Sequence, residues 1–143
     1  TALDPAMTIG DQIAEAVKQQ KADQKQRLSR EQVYHRVEEL MELVGIDYPA
    51  ERSRQYPHQF SGGMRQRLGI AQAIMEDPDI LLLDEPLNGL DNEGVEEIRK
   101  VLLSLKEKGK LIILASHSKE DIQILCDTVF RMDHGKIIAT ETN

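Results

Sequence analysis

Aromatic residues, cysteines and long apolar stretches, each typical of a particular class of protein, are rare or absent in the sequence. Tryptophan is absent and aromatic residues make up only 3% of the chain, so stacking on bases or sugars is not its main means of binding. The single cysteine, Cys126, forms neither an internal disulfide nor a zinc cage, which favours a reducing, cytosolic setting. The longest uninterrupted apolar stretches, residues 80–83 and 111–115, are far shorter than the roughly 20 residues that span a bilayer.

A basic excess is missing too. The 143 residues, 16.2 kDa in mass, carry 18 basic and 25 acidic side chains, which gives a formal charge of −7. A duplex-binding domain usually shows the opposite balance because it neutralises phosphates, so we expect no nucleic acid partner. The length suits one modest domain with a real core.

The first part of the chain has the periodicity of helices. Apolar residues recur every four positions from Ile9 to Val17, which predicts an amphipathic helix. Ser29 and Gln32 have capping-box spacing at the start of a second predicted helix. Residues 46–60, which follow that helix, are predicted to form a loop.

After Ser61 the pattern changes to alternating helices and strands. A helix is predicted over residues 62–75, and the apolar run at 80–83 is typical of a strand buried on both faces, as in a parallel sheet. A helix with Asn92 as its N-cap separates this run from a second buried strand at 111–115. The order strand, helix, strand is that of the βαβ unit.

These patterns predict an α/β fold with two subdomains. Residues 1–60 form an all-helical subdomain, and residues 61–143 form part of a mainly parallel sheet with flanking helices. A terminal hairpin is predicted over residues 128–139.

Two carboxylates follow the first predicted strand. Asp84 and Glu85 would emerge at its carboxyl end, the edge at which open α/β sheets bind ligands. One carboxylate can hold Mg²⁺, which prefers oxygen ligands and keeps part of its water, and the other can act as a base toward an attacking water. A simple polar turn after a strand would show the same two residues.

A serine and two glycines open the helix predicted over residues 62–75. Ser61, Gly62 and Gly63 lie where unpaired N–H groups and the positive end of the helix dipole attract anions. Glycines let a phosphate approach the backbone closely, and the serine hydroxyl adds a donor. A plain N-cap serine followed by glycines explains the same residues equally well.

Two more polar segments follow the acidic turn and the second strand. Asp91 closes the segment Asn88-Gly89-Leu90-Asp91, and His117 comes directly after the strand at 111–115. A histidine at that edge can donate to a phosphate oxygen or orient a water beside the carboxylates. A lone histidine is more often a surface or capping residue.

Taken together and in this order, the segments resemble the nucleotide-binding subunit of ABC transporters. On this resemblance residues 60–66 are the signature motif, and Asp84 with Glu85 ends the Walker B strand. Asp91 closes the D-loop, and His117 is the switch histidine. The resemblance implies a P-loop NTPase-like fold and ATP with Mg²⁺ as ligands.

The resemblance also assigns a role to each candidate residue. Two such domains pair in the family, and ATP lies between the P-loop of one and the signature motif of the other. The implied roles are binding of the partner's γ-phosphate for Ser61, Gly62 and Gly63, Mg²⁺ binding for Asp84, polarisation of water for Glu85, γ-phosphate contact for His117, and a link between the two sites for Asp91.

The resemblance is not uniform along the chain. Residues 1–13 and 56–67 are similar to the dipeptide and oligopeptide importer branch, whereas residues 86–92 and 115–121 are more similar to other branches, including efflux ATPases. The P-loop pattern Gly-x-x-x-x-Gly-Lys-Ser/Thr does not occur in the 143 residues. Since the resemblance places that motif and the Q-loop upstream of Thr1, we expect a fragment that is inactive alone.

The resemblance implies an ATPase subunit that energises transport of peptides or related small solutes. It also implies transmembrane permease subunits, a homo- or heterodimer with a second ABC ATPase domain, and a place at the cytoplasmic face of the membrane. Three alternatives stay open. The chain could be a non-catalytic module that docks on a membrane partner or complements another subunit's ATP site, an efflux-type ATPase, or a DNA-repair ATPase, which the acidic charge and short helical part disfavour.

Overall fold

The computed structural model describes residues 3–143, and helices make up the first half of this range. The hydroxyl of Thr8 caps the first helix by accepting from the N–H of Asp11 at 3.2 Å, and Ser29 with Gln32 forms the predicted capping box. The elements are α1 (Ile9–Asp23), α2 (Arg30–Leu43), α3 (Pro49–Arg52), a 3₁₀ turn (Pro57–Gln59) and α4 (Gly62–Met75). The three longer helices are those that the periodicity predicts.

The segment predicted as a loop, residues 46–60, contains α3 and the 3₁₀ turn. Each begins at a proline, Pro49 and Pro57, because the fixed φ and missing N–H of proline suit the first position of a helix. The prediction of a continuous loop is therefore wrong, since proline starts these elements instead of interrupting them.

Strands and helices alternate in the second half. The elements are β1 (Ile80–Asp84), α5 (Asn92–Glu107), β2 (Leu111–Ala115), α6 (Lys119–Leu125), β3 (Thr128–Asp133) and β4 (Lys136–Thr142). β1 and β2 are parallel and in register, with Ile80 opposite Leu111 and Asp84 opposite Ala115. β3 and β4 are antiparallel. The predicted βαβ unit and terminal hairpin are confirmed, and β4 is longer than predicted.

Helix α5 has a different cap from the predicted one. The carboxylate of Asp91 accepts from the N–H of Gly94 at 2.9 Å, and Asn92 is the first helical residue. Aspartate and asparagine are both good N-caps, so composition alone could not choose between neighbours. The cap places Asp91 at a helix N-terminus.

One cluster of buried apolar side chains connects the helices to the sheet. Val37 of α2 and Leu68 of α4 are fully buried in it, and Leu81 and Ile98 extend it to β1 and α5. α4 packs against α1 and α2, although the predicted division assigns it to the α/β part. That division stays a prediction, and Thr1 and Ala2 of its first part lie outside the described residues.

The prediction that both strands are buried on both faces is wrong. Ile80, Leu82, Leu111 and Ile113 are each more than half exposed, on one face of the β1–β2 pair. Leu81, on the other face, is 3% exposed. A parallel pair shows this pattern when helices cover only one of its faces. Within residues 3–143 no helix is long and apolar enough to cross a membrane.

Candidate functional site

Glu85 is the first residue after β1, and its backbone is bonded on both sides. Its N–H donates to the carbonyl of Ala115 at 2.8 Å and extends the ladder between the strands, while its carbonyl accepts from the N–H of Asn88 at 3.1 Å. Its φ is +46°, a left-handed conformation that few non-glycine residues adopt. These bonds fix the direction in which the carboxylate leaves the strand.

His117 lies beside this carboxylate because the carboxyl ends of parallel strands meet at one edge of a sheet. Nδ1 of His117 is 2.6 Å from Oε1 of Glu85. The imidazole is 82% exposed and the Glu85 side chain 34% exposed, so the pair faces solvent. Asp84 is exposed at the same edge, one residue before Glu85. The structure thus brings together three of the residues singled out in the sequence.

The Ser-Gly-Gly segment forms the N-terminus of α4. The Oγ atom of Ser61 accepts from the N–H of Met64 at 3.2 Å, which makes it the N-cap. A Cβ added at Gly62 would meet no atom within 4 Å, whereas one at Gly63 would lie 3.3 Å from the carbonyl oxygen of Gly89. Gly62 therefore leaves space for a ligand, and Gly63 lets the β1–α5 loop approach closely.

A cavity of about 580 Å³ opens at this helix end. Ser61, Gly62, Gly63 and Asp91 all line it, together with Arg67 and the segment around Gly45. Asp84, Glu85 and His117 belong to the sheet edge instead. The seven candidate residues therefore form two groups, one at a helix N-terminus and one at the ends of the strands.

Two residues of α4 to which the sequence assigned no individual role, Gln66 and Arg67, contact the loop between β1 and α5. The side-chain amide of Gln66 donates to the carbonyls of Glu85 and Pro86, at 3.3 and 3.1 Å. The guanidinium of Arg67 donates to the carbonyl of Gly45 at 2.6 Å and lies 3.1 Å from Oδ1 of Asp91. For Arg67 the available signal was a charged residue directly before the core residue Leu68 in a predicted helix.

A hydrogen bond between α1 and α2 shifts the pKa values of both its partners. The hydroxyl of Tyr34 donates to the carboxylate of Asp11, which lowers the pKa of Asp11 and raises that of Tyr34. Both residues line a second cavity, of about 640 Å³, between α1, α2 and α3. Burial raises the pKa of Cys126, so its thiol stays protonated at neutral pH.

The described residues contain no cluster of three or more histidine, cysteine, aspartate or glutamate side chains arranged to hold a metal ion. Asp84 is therefore a single carboxylate candidate. One carboxylate is compatible with Mg²⁺, which keeps several waters and takes further oxygens from the phosphates of its substrate.

The fold can be compared with solved structures. A dimeric structure of a post-hydrolysis state of the ATP-binding cassette MJ0796, bound to ADP and Pi, matches with a TM-score of 0.84 and 23% sequence identity. The match covers 98% of this chain and 58% of that one. The architecture, a helical part joined to parallel strands, has the fold of an ATP-binding cassette.

Comparison with known sequences identifies the family of this chain. The family described as ABC transporter matches residues 1–88. The dipeptide transport ATP-binding protein DppD of Bacillus subtilis is 40% identical over 138 residues, which are 96% of this chain and 40% of that protein. The oligopeptide transport ATP-binding protein OppD of the same species is 38% identical over 143 residues, 99% of this chain and 38% of that protein. The chain belongs to the ABC transporter family, and it spans about 40% of the length of these relatives.

Proposed function

We propose that the chain is part of the ATP-hydrolysing subunit of an ABC transporter, and that this transporter imports peptides or related small solutes. The observation that carries the ATPase role is the contact of 2.6 Å between Glu85 and His117 at the carboxyl edge of two parallel strands. The similarity to the dipeptide and oligopeptide transport proteins supports the class of solute.

The N-terminus of α4 suits a phosphate. Ser61 and the first turn present backbone N–H groups beside a cavity, and the helix dipole adds partial positive charge. The open space at Gly62 lets an anion reach the backbone, because no side chain occupies it. Ser61, Gly62 and Gly63 are proposed to bind the γ-phosphate of ATP held by a partner cassette.

The sheet edge is proposed to serve the ATP of this cassette. MgATP is the substrate, and its metal ion would take one oxygen ligand from Asp84. The carboxylate of Glu85 would accept a proton from the attacking water, and the fixed backbone of Glu85 keeps that carboxylate in place. His117 would hold Glu85 through Nδ1 and contact the γ-phosphate through its other ring nitrogen.

The proposed site is complete only in a dimer. One group of candidate residues lies at the N-terminus of α4 and the other at the sheet edge, and the two groups would serve different nucleotides. Asp91, at the cavity, would link them. Permease subunits in the membrane, with the cassettes at its cytoplasmic face, complete the proposed assembly.

The proposal is tested in a cassette in which these 143 residues replace the matching part of the B. subtilis dipeptide transport protein. Glu85→Gln should lower phosphate release at least about 100-fold, the usual contribution of a general base, while ATP binding persists. Glu93→Gln, an exposed carboxylate in the first turn of α5, is the control and should keep full turnover. Unimpaired hydrolysis by Glu85→Gln would refute the assignment.

A second candidate is a non-catalytic module, favoured by the absence of a P-loop pattern from the 143 residues. Such a module would dock on a membrane partner or complete the ATP site of another subunit. Calorimetric titration of the 143-residue chain with MgATP tests whether the chain holds a nucleotide site of its own. Binding at micromolar ATP counts against the module, and the turnover of the hybrid cassette described above distinguishes the two functions.

A further inference from the structure

Gln66 of α4 is bonded to the turn that follows β1. Its Nε2 atom donates to the carbonyls of Glu85 and Pro86, at 3.3 and 3.1 Å. Glu85 has a φ of +46°, which a non-glycine residue keeps only where its surroundings hold it. The N–H of Glu85 is held by Ala115, and its carbonyl, which accepts from the N–H of Asn88, accepts a second hydrogen bond from Gln66.

Arg67, the next residue, is bonded to the other end of the same loop. Its side chain is 12% exposed and lies 3.1 Å from Oδ1 of Asp91 and 3.2 Å from Oε2 of Glu97. The Asp91 side chain is 71% exposed, so few other groups contact it. Since the N–H of Gly94 binds the same Oδ1 atom, Asp91 is held from two directions.

Two glycines allow the close packing around Arg67. A Cβ at Gly94 would lie 2.2 Å from an Arg67 nitrogen, and a Cβ at Gly45 would lie 1.8 Å from Oε2 of Glu97. Arg67 also donates to the carbonyl of Gly45 at the end of α2. It therefore joins α2, α4 and α5 through one partly buried guanidinium.

We propose that Gln66 and Arg67 are positioning residues, with Gln66 fixing Glu85 and Arg67 fixing Asp91. The functional meaning of the two acidic groups rests on the function proposed above, whereas the contacts do not. Ser61, Gly62 and Gly63 begin the same helix, so a ligand that displaces this end of α4 displaces both ends of the β1–α5 loop. The pair would thus connect the cavity at the helix end with the carboxylate at the sheet edge of the same chain.

Each contact has its own signal in nuclear magnetic resonance of the 143-residue chain. The ¹⁵N resonance of Nδ1 of His117 reports its contact with Glu85, and Glu85→Gln marks the value without a carboxylate. Hydrogen exchange at the Gly94 amide reports the cap made by Asp91, and Asp91→Ala marks its loss. Neither signal needs nucleotide, so the proposal can fail independently of the ATPase assignment.

The two residues serve as controls for each other. Gln66→Met should move the His117 resonance toward the Glu85→Gln value and leave exchange at Gly94 unchanged. Arg67→Met should speed hydrogen exchange at the Gly94 amide by up to roughly fivefold, the change expected if the N-cap bond is lost completely. The His117 resonance should stay unchanged in this variant. Arg65→Gln, an exposed position on the same helix, should alter neither signal.

A merely structural role predicts a different result. General loosening of the fold would move both signals together in each variant, and that outcome overturns the proposal. The proposal is also overturned if Gln66→Met leaves the His117 resonance at the wild-type value, or if Arg67→Met leaves exchange at Gly94 at the wild-type value. Should Arg67→Met fail to fold, Arg67→Lys replaces it, because it keeps the charge without the fork of donors. In Arg67→Lys faster exchange at Gly94 with an unchanged His117 supports the proposal, and unchanged exchange contradicts it.

Discussion

Arg99→Met should destabilise the fold strongly because it leaves a buried carboxylate without its partner. The Arg99 side chain is 8% exposed, and its Nε and one terminal nitrogen lie 3.0 and 2.5 Å from Oδ1 of Asp121, whose side chain is 10% exposed. These bonds raise the pKa of Arg99 above its usual value. They also tie α5 to α6, the helix that starts two residues after His117.

The expected magnitude follows from burial. Removing one partner of a buried ion pair costs about 3–5 kcal/mol, a large share of the roughly 5–15 kcal/mol that stabilises a typical domain. For a urea slope of about 2 kcal/mol per M, a loss of about 4 kcal/mol lowers the unfolding midpoint by about 2 M. Urea titration followed by circular dichroism measures this shift.

Two further variants test the cause of the loss. Lys106→Met breaks a pair in which the side chains of Lys106 and Asp127 are 36% and 76% exposed, and it should cost less than about 1 kcal/mol. The double variant Arg99→Met/Asp121→Leu should regain most of the stability, because no buried charge is then left unpaired. A small loss in Arg99→Met, or a double variant no more stable than the single one, would refute the reasoning.

Two other predictions concern stability. Gly69→Ala in α4, where a Cβ would meet no atom within 4 Å, should stabilise the chain by about 0.5–1 kcal/mol. Gly94→Ala should destabilise the chain, because its Cβ would lie 2.2 Å from Arg67. Midpoints of thermal unfolding that move in the same direction for both variants would contradict this. The loss of stability in Tyr34→Phe should depend on pH, because the hydrogen bond lowers the pKa of Asp11 in the folded state. The stabilisation by the hydrogen bond is present above a pH of about 4, where unfolded aspartate is ionised, and it disappears as the pH falls through the lowered pKa of Asp11. If urea titrations show a difference in stability between Tyr34→Phe and wild type that does not change with pH, the difference does not come from this hydrogen bond.

Much of the fold follows from local sequence. The capping box of Ser29 and Gln32, the N-cap of Ser61 and the apolar stretches of β1 and β2 each involve residues within a few positions of one another. The predictions of a loop and of one N-cap were wrong where the residue type alone does not determine the local structure. Pro49 and Pro57 start helical elements in a predicted loop, and Asp91 takes the capping role expected of its neighbour Asn92.

The candidate site was only partly predictable. The motifs identified Glu85 and His117 as candidates, and their common position after parallel strands predicted that they would be neighbours. The contacts of Gln66 and Arg67 were not predicted, although Gln66 lies in the signature motif, because nothing in their immediate sequence indicates which carbonyls and carboxylates they meet. The open face formed by Ile80, Leu82, Leu111 and Ile113 was missed as well, since an apolar run looks the same with one face covered or two.

The sequence by itself determined the order of helices and strands, the caps of most helices and the set of candidate polar residues. These depend on backbone preferences and on side chains within about one helical turn, which the chain carries locally. Only the tertiary structure decided that Gln66 reaches Glu85, 19 positions away, and that His117 meets it across 32 positions. Such contacts depend on how α4 packs against the β1–α5 loop and on the register of the two strands, and neither is set by any local segment.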